Sequence, residues 1–129
     1  MAVIRPRPDF EAHQRAMRAP FSEVADELRE LLGARLAAYI GGVTETRAVR
    51  EWAEGARTPG NEIQQRFRVA LQLALLLNDS DGREVTQAWF QGLNPQLDDR
   101  SPARLLREGT LEETGPQVLA AARAFLVGG

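Results

Sequence analysis

Five residues near the middle of the chain carry side chains suited to gripping a polyanion: Thr44, Thr46, Arg47, Arg50 and, slightly further on, Arg57. Hydroxyls and guanidinium forks bond phosphate oxygens, and a guanidinium reads a guanine edge through two parallel hydrogen bonds. Every one of the 16 basic residues is arginine. Two explanations stand for that bias, a GC-rich coding sequence and a use for bidentate forks. Catalytic chemistry finds little support. His13 is the only histidine and there is no cysteine, which leaves a Ser/His/Asp arrangement unsupported and excludes disulfides and a Cys-based zinc site. Asp98-Asp99 and Glu112-Glu113 are adjacent in sequence and read as loop and helix-start residues, not as an acid/base pair. Gly41-Gly42 lacks the spacing of a phosphate-cradling loop. The expectation is a protein that is no enzyme and uses no cofactor and no metal.

Those residues must be held by helices, because strand signals are nearly absent and apolar residues recur at helical spacing. The 129 residues, 43% apolar and 26% charged, fit one compact domain or two small ones sharing a core. No run approaches the roughly 18 apolar residues of a membrane span, and the first residues lack a secretory core, so a cytoplasmic address and no membrane contact are expected. Net charge is -2, unevenly spread: 11 arginines against 10 acids in residues 1–77, and 5 against 8 in residues 78–129.

Residues 1–21 read as an N-terminal arm, extended at Arg5-Pro6-Arg7-Pro8, with a short helix near Asp9 to Arg18 ended by Pro20. Ser22 is placed to cap a helix reaching Leu32, stopped by Gly33 in a left-handed conformation. A helix over Ala34 to Ile40, a turn at Gly41-Gly42 and a helix from Thr44, as cap, to Gly55 follow. A long helix from Asn61 to Leu77 turns Ile63, Phe67, Ala70, Leu71, Ala74 and Leu77 inward. Asn78-Asp79-Ser80-Asp81-Gly82 reads as the linker, with Asp81 and Glu84 capping the next helix. Asn94-Pro95 turns the chain. Ser101-Pro102 starts a helix that Gly109 ends, and Gly115-Pro116 opens the last one.

The stretch Leu36 to Gly55 has the parts of a helix-turn-helix. Ala38 is small where two helices cross, Gly42 sits at the turn, and Val49 and Trp52 anchor the second helix inward. Thr44, Thr46, Arg47 and Arg50 then lie in the half that enters a major groove. Val43 to Val49 is one residue longer than the usual spacing, and Glu51 and Glu54 are placed to pair with Arg47 and Arg50. A plain helical corner with a solvated charged face is the other reading. This part, over 22–77, resembles the Xre family of DNA-binding domains.

In the second half, Trp89, Phe90, Leu97, Leu105 and Leu106 read as core in isolation. Their order is more specific: Trp89-Phe90, Asn94-Pro95, Leu97, Pro102, Leu105-Leu106, Gly109, then a final helix. Over 83–129 that order resembles the toxin-binding domain of Xre/MbcA/ParS-type antitoxins, partners of RES-domain toxins. The resemblance implies an all-α protein with an Xre-like helix-turn-helix bundle followed by a small helical toxin-binding domain. It implies neutralisation of a toxin that consumes NAD or ADP-ribosylates, by occlusion of its cleft, and binding of operator DNA by the assembly. Carried onto this chain, the toxin-binding residues are Trp89, Phe90 and Asn94, with Phe125, Leu126, Val127, Gly128 and Gly129 forming a plug; the chain's own charge pattern adds Arg104 and Arg107 as candidates to meet acidic groups on the toxin. For that tail a frayed terminus is the alternative, and for Arg104 and Arg107 a solvated face. The antitoxin pattern often has small residues where Asp98-Asp99 stand. The expected state is a homodimer or a hetero-oligomer with the toxin. The competing function is a stand-alone helix-turn-helix transcription regulator dimerising through its second half.

Overall fold

The computed structural model describes residues 8–128, and these form helices joined by short turns, with no strand among them. In order, they are α1 (Pro8–Arg18), α2 (Phe21–Leu32), α3 (Ala34–Gly41), α4 (Thr46–Ala53), α5 (Asn61–Asp81), α6 (Arg83–Gln91), a 3-10 turn (Pro95–Leu97), α7 (Pro102–Glu108) and α8 (Leu111–Leu126). The organising element is α5. Its stretch Arg66-Phe67 and Ala70 through Leu77 carries so few exposed groups that it cannot present a polar face to water. It packs against α1, α2, α3, α6, α7 and α8, and Phe67, Ala70, Leu71, Leu73, Ala74 and Leu77 are fully enclosed. The expected one-sided stripe is therefore too narrow: Leu73, Leu76, Gln72 and Arg66 on the other side are buried too, while Ile63 is only half-buried.

One aromatic cluster joins the first half. Phe67 of α5 meets Trp52 of α4 edge-on at 5.4 Å and Phe21 of α2 at 5.8 Å between ring centroids. Such geometry sets positive ring edges against negative faces. Around it close Val24, Leu28, Ile40 and Val49. The same apolar core runs on without a break through Phe90, Leu97, Leu105, Leu106, Val118 and Ala122 of the second half.

Several expected boundaries move. Residues 78–81 are not a linker; they are the last turn of α5, and the break is confined to Gly82, whose positive φ of 86° reverses the chain and whose N–H bonds the Asn78 carbonyl at 3.0 Å. Asp81 and Glu84 form no capping box. α6 starts behind Gly82 without a side-chain cap, and the Thr86 hydroxyl donates back to the Gly82 carbonyl at 2.7 Å. Ser22 lies inside α2, which begins one residue earlier behind Pro20, and Glu45, not Thr44, occupies the cap position of α4. Gly115-Pro116 do not open the last helix. α8 starts at Leu111, with Glu112 and Glu113 favourably placed in its first turn and Pro116 inside it. The cost is one missing helical bond to the Glu112 carbonyl. The Ser101 cap holds as expected, its Oγ accepting from the Arg104 N–H at 3.2 Å; Asn94, expected as part of a turn, also caps the 3-10 turn, its Oδ1 accepting from the Gln96 N–H at 2.9 Å.

The helix at Asp9 to Arg18 is docked, not part of a loose arm. Ala12 and Ala16 of α1 are buried against α5. Arg68 of α5 donates to the carbonyls of Ala16 at 2.9 Å and Ala19 at 2.8 Å, capping the end of α1. The Arg5-Pro6-Arg7-Pro8 extension lies outside the described residues except for the backbone of Pro8. Replacement Phe67→Ala removes the ring that three helices share and leaves a cavity. It is expected to lower the unfolding free energy by about 3–5 kcal/mol, read from the urea midpoint at unchanged slope; a loss under about 1 kcal/mol would contradict the role assigned to this ring.

Candidate functional site

The expected polyanion-binding residues come together on one surface. α3 and α4 are joined by a turn at Gly42 (φ 76°, ψ 19°), a left-handed conformation that suits glycine. Ala38, Val49 and Trp52 face inward as a helix-turn-helix requires, all nearly or fully buried. Thr44, Thr46, Arg47, Arg50 and Arg57 are all exposed. The extra residue between Val43 and Val49 is absorbed in the turn before α4, so it does not displace the inward anchors.

The electrostatics of this face are less favourable than its composition. Glu51, with only 15% of its side chain exposed, accepts from Arg47 at 2.7 Å and from Arg57 at 3.1 Å. Arg50 approaches Glu54 at 3.9 Å. Each of these arginines therefore stands beside a carboxylate; the i, i+4 spacing foretold this for Arg47 and Arg50, not for Arg57. The hydrogen bonds from Arg47 and then Arg57 hold the Glu51 carboxyl below the usual glutamate range, and Glu51 in turn raises Arg47 above its ordinary value.

The second half divides its expected site residues into two kinds. Phe90 has no exposed surface and Trp89 only 8%; their rings meet edge-on at 5.2 Å. Neither presents atoms to a partner in this state, because both are needed to fill the space under α6. The Trp89 indole Nε1 is buried without a hydrogen-bond acceptor. Asn94 is committed to its turn, where its carbonyl also accepts from Leu97 and Asp99 and its N–H bonds Arg100. That turn places Asp98 and Asp99 at positive φ, 55° and 60°, uncommon for residues with a side chain. Arg104 is exposed and pairs with Glu108 at 3.0 Å, which raises its guanidinium.

Arg107 does something its position in the sequence does not announce. It reaches from α7 across to α3, where its guanidinium lies 4.6 Å from the centre of the Tyr39 ring and donates to the Tyr39 carbonyl at 2.8 Å. It thus lines an open depression of about 830 Å³ with Arg35, Thr44, Thr46 and Arg47. Sequence reasoning also passed over Arg35. The segment proposed as a plug is mostly helix: Phe125 and Leu126 belong to α8 and rest half-buried on the core. Val127 stands 86% exposed at its end, followed by Gly128, and Gly129 lies outside the described residues. Leu93, 77% exposed, and Val85, 39% exposed, are further large apolar side chains left exposed in this half.

Among the described residues no group of three or more His, Cys, Asp or Glu side chains is placed to hold a metal ion. No helix of the described chain is long and apolar enough to cross a membrane.

No protein-family model matches the sequence, and no curated protein matches it either. Among solved structures, it is similar to a chain of the crystal structure of the M. tuberculosis MbcT-MbcA toxin-antitoxin complex. The identity is 23%, the alignment covers 82% of this chain and 96% of that one, and the TM-score is 0.63. The two chains share a fold. That fold is all-helical here, in agreement with the architecture expected from the sequence.

The Glu51 pairing carries a pH prediction. A carboxyl held below its unfolded value contributes to stability above that value and loses the contribution as pH falls through the folded one. Carbon-detected NMR is expected to give Glu51 a midpoint below that of a free glutamate, moving up toward it in Arg47→Ala; a midpoint at or above the free value in the parent would contradict the double pairing.

Proposed function

We propose that this chain is an antitoxin that binds and neutralises a RES-domain toxin, one that consumes NAD or ADP-ribosylates, and that it regulates its own operon by binding operator DNA through α3 and α4. The observation that carries the reading is the shared fold with a chain of the MbcT-MbcA toxin-antitoxin complex over nearly all of that chain. It is supported by the order Trp89-Phe90, Asn94-Pro95, Leu97, Pro102, Leu105-Leu106 and Gly109, residues that build the second half as buried core, turn and caps. In this reading residues 22–77 serve DNA and residues 83–129 serve the toxin, without catalysis of their own and in the cytoplasm.

The toxin contact is assigned to the end of α8. Val127 offers an isopropyl group to a cleft, with Gly128 adding no bulk beyond it, while Phe125 and Leu126 form its shoulder. Arg104, exposed and paired with Glu108 on α7, is a separate candidate for acidic groups on the toxin. Trp89 and Phe90 act from beneath by holding α6 and α7 in place. Occlusion suits an exposed apolar tip on a rigid helix, because little conformational freedom is lost on insertion.

DNA recognition is assigned to Thr44, Thr46, Arg47, Arg50 and Arg57. The face they share with Glu45, Glu51 and Glu54 has equal numbers of opposite charges, so the single chain is expected to bind duplexes weakly and to gain from two copies in one assembly.

The decisive measurement mixes the purified chain with the RES-domain toxin encoded beside it and follows NAD. Loss of NAD is expected to stop at equimolar chain. The exposed substitution Val127→Arg is expected to weaken inhibition about tenfold or more at unchanged melting temperature. Undiminished NAD consumption at excess chain would overturn the antitoxin reading.

A further inference from the structure

We propose that the DNA-binding surface extends beyond the recognition helix to Arg35 and Arg107, which clamp the phosphate backbone beside it, so that the second half of the chain takes part directly in DNA binding. The proposal rests on the helix-turn-helix reading and deepens it.

It starts from charge. The arginines of the α4 face are each matched by a carboxylate: Arg47 and Arg57 by Glu51, Arg50 by Glu54. A pair already closed has less to offer a phosphate, because the anion must displace a bound carboxylate. Arg35 and Arg107, by contrast, have no carboxylate within ion-pair distance among the described residues. They line the same depression as Thr44, Thr46 and Arg47. Two acids line it as well: Glu108, which pairs with Arg104 at 3.0 Å, and Glu45, which opposes the clamp. The uncommitted charge is therefore positive, and it is contributed from α3 and α7, outside the recognition helix.

Geometry adds preorganisation. Arg107 lies over the Tyr39 ring and gives one N–H to the Tyr39 carbonyl. A guanidinium has five N–H donors, so most remain available while the side chain is already held, and little rotamer entropy is lost on meeting an anion. Arg35 stands exposed in the first turn of α3, where a cation opposes the helix dipole and the fold gains nothing from it. In a helix-turn-helix the first helix crosses the backbone while the second enters the groove, which is where a cation on α3 would meet phosphates. Contacts of this kind set register and orientation and carry no sequence preference. The fitting partner is the sugar–phosphate backbone of a duplex; an acidic protein surface is the competitor.

The test uses the full chain and fluorescein-labelled duplexes of random sequence and of the promoter upstream of its own gene, titrated across a salt series. Arg107→Gln and Arg35→Gln are each expected to weaken both duplexes equally and to reduce the salt slope by about 1. Arg107→Lys is expected to keep the slope, since an ammonium still neutralises a phosphate, although it cannot stack and bond as the guanidinium does; a purely structural role for Arg107 would not be rescued this way. Arg35, exposed and without a side-chain hydrogen bond or ion pair among the described residues, gives the second variant whose folding is not in question. If both Gln variants bind like the parent while Arg47→Ala with Arg50→Ala abolishes binding, the clamp is wrong and the helix-turn-helix reading stands. If the parent binds no duplex at low salt, both fall. If Arg107→Gln lowers affinity for the toxin and leaves the duplex slope unchanged, the patch belongs to a protein partner and the clamp is overturned.

Discussion

The fold depends on the enclosure of α5. A helix that buries Phe67, Leu71, Leu73 and Leu77 on different sides cannot be satisfied by one neighbour, so it draws α1, α2, α3, α6, α7 and α8 around it. At about 25 cal/mol per Å² of apolar surface removed from water, this is the dominant favourable contribution to folding, and it has no direction of its own. Direction comes from shape: the Phe21, Trp52 and Phe67 rings meet at tilted and edge-on angles that fix how α4 sits on α5, and so which of its residues remain outside. The exposed face of α4 is a consequence of what its other face must cover.

The arginines divide by what they meet. Some stand on the surface beside glutamates, and such pairs contribute little to stability. Arg66, which also pairs with Glu62, Arg68 and Arg107 act as donors to backbone carbonyls distant in sequence: Arg66 to Ile40 at 3.1 Å, Arg68 to Ala16 and Ala19, and Arg107 to Tyr39. All these acceptors lie at or just past the ends of α1 and α3, where helices leave carbonyls unsatisfied and the dipole is negative. A cation there supplies a hydrogen bond and a favourable charge together. The result pins α1 and α3 to α5 and α7, and through Arg107 it links the first and second halves of the chain by a side chain that also faces solvent. An all-arginine set of cations has a structural use here whatever its coding origin.

The surface that remains is sparing with apolar groups. Val127 and Leu93 protrude from the second half, and Val127 follows the end of α8, whose Val118, Ala121 and Ala122 are buried while Phe125 and Leu126 are half-buried. A tip of this kind is rigid where it matters and small enough to enter a cleft. The neighbouring turn at Asp98-Asp99 holds two non-glycine residues at positive φ, stabilised by the hydrogen bonds that Asn94 distributes around it.

Much of this was legible in the chain itself. Helical periodicity, the Ser101 cap, the turns at Gly42 and Asn94-Pro95 and the inward pair Val49 and Trp52 follow from residues within a few positions of one another, because helix geometry couples neighbours three and four apart. The pairing of Arg47 and Arg50 with Glu51 and Glu54 was readable for the same reason. What tertiary structure alone decided involves partners far apart: Arg68 and Ala16 are 52 residues distant, Arg107 and Tyr39 68, and nothing periodic marks them. The same holds for residues 78–81, whose polar composition signals a turn, yet which continue α5. A local propensity of a few tenths of a kcal/mol per residue yields to the burial of a whole helix. Sequence determined which segments coil and which side chains turn inward on each; only packing determined that α1 docks, that Trp89 and Phe90 disappear into the core, and that an arginine of the second half lies on the surface of the first.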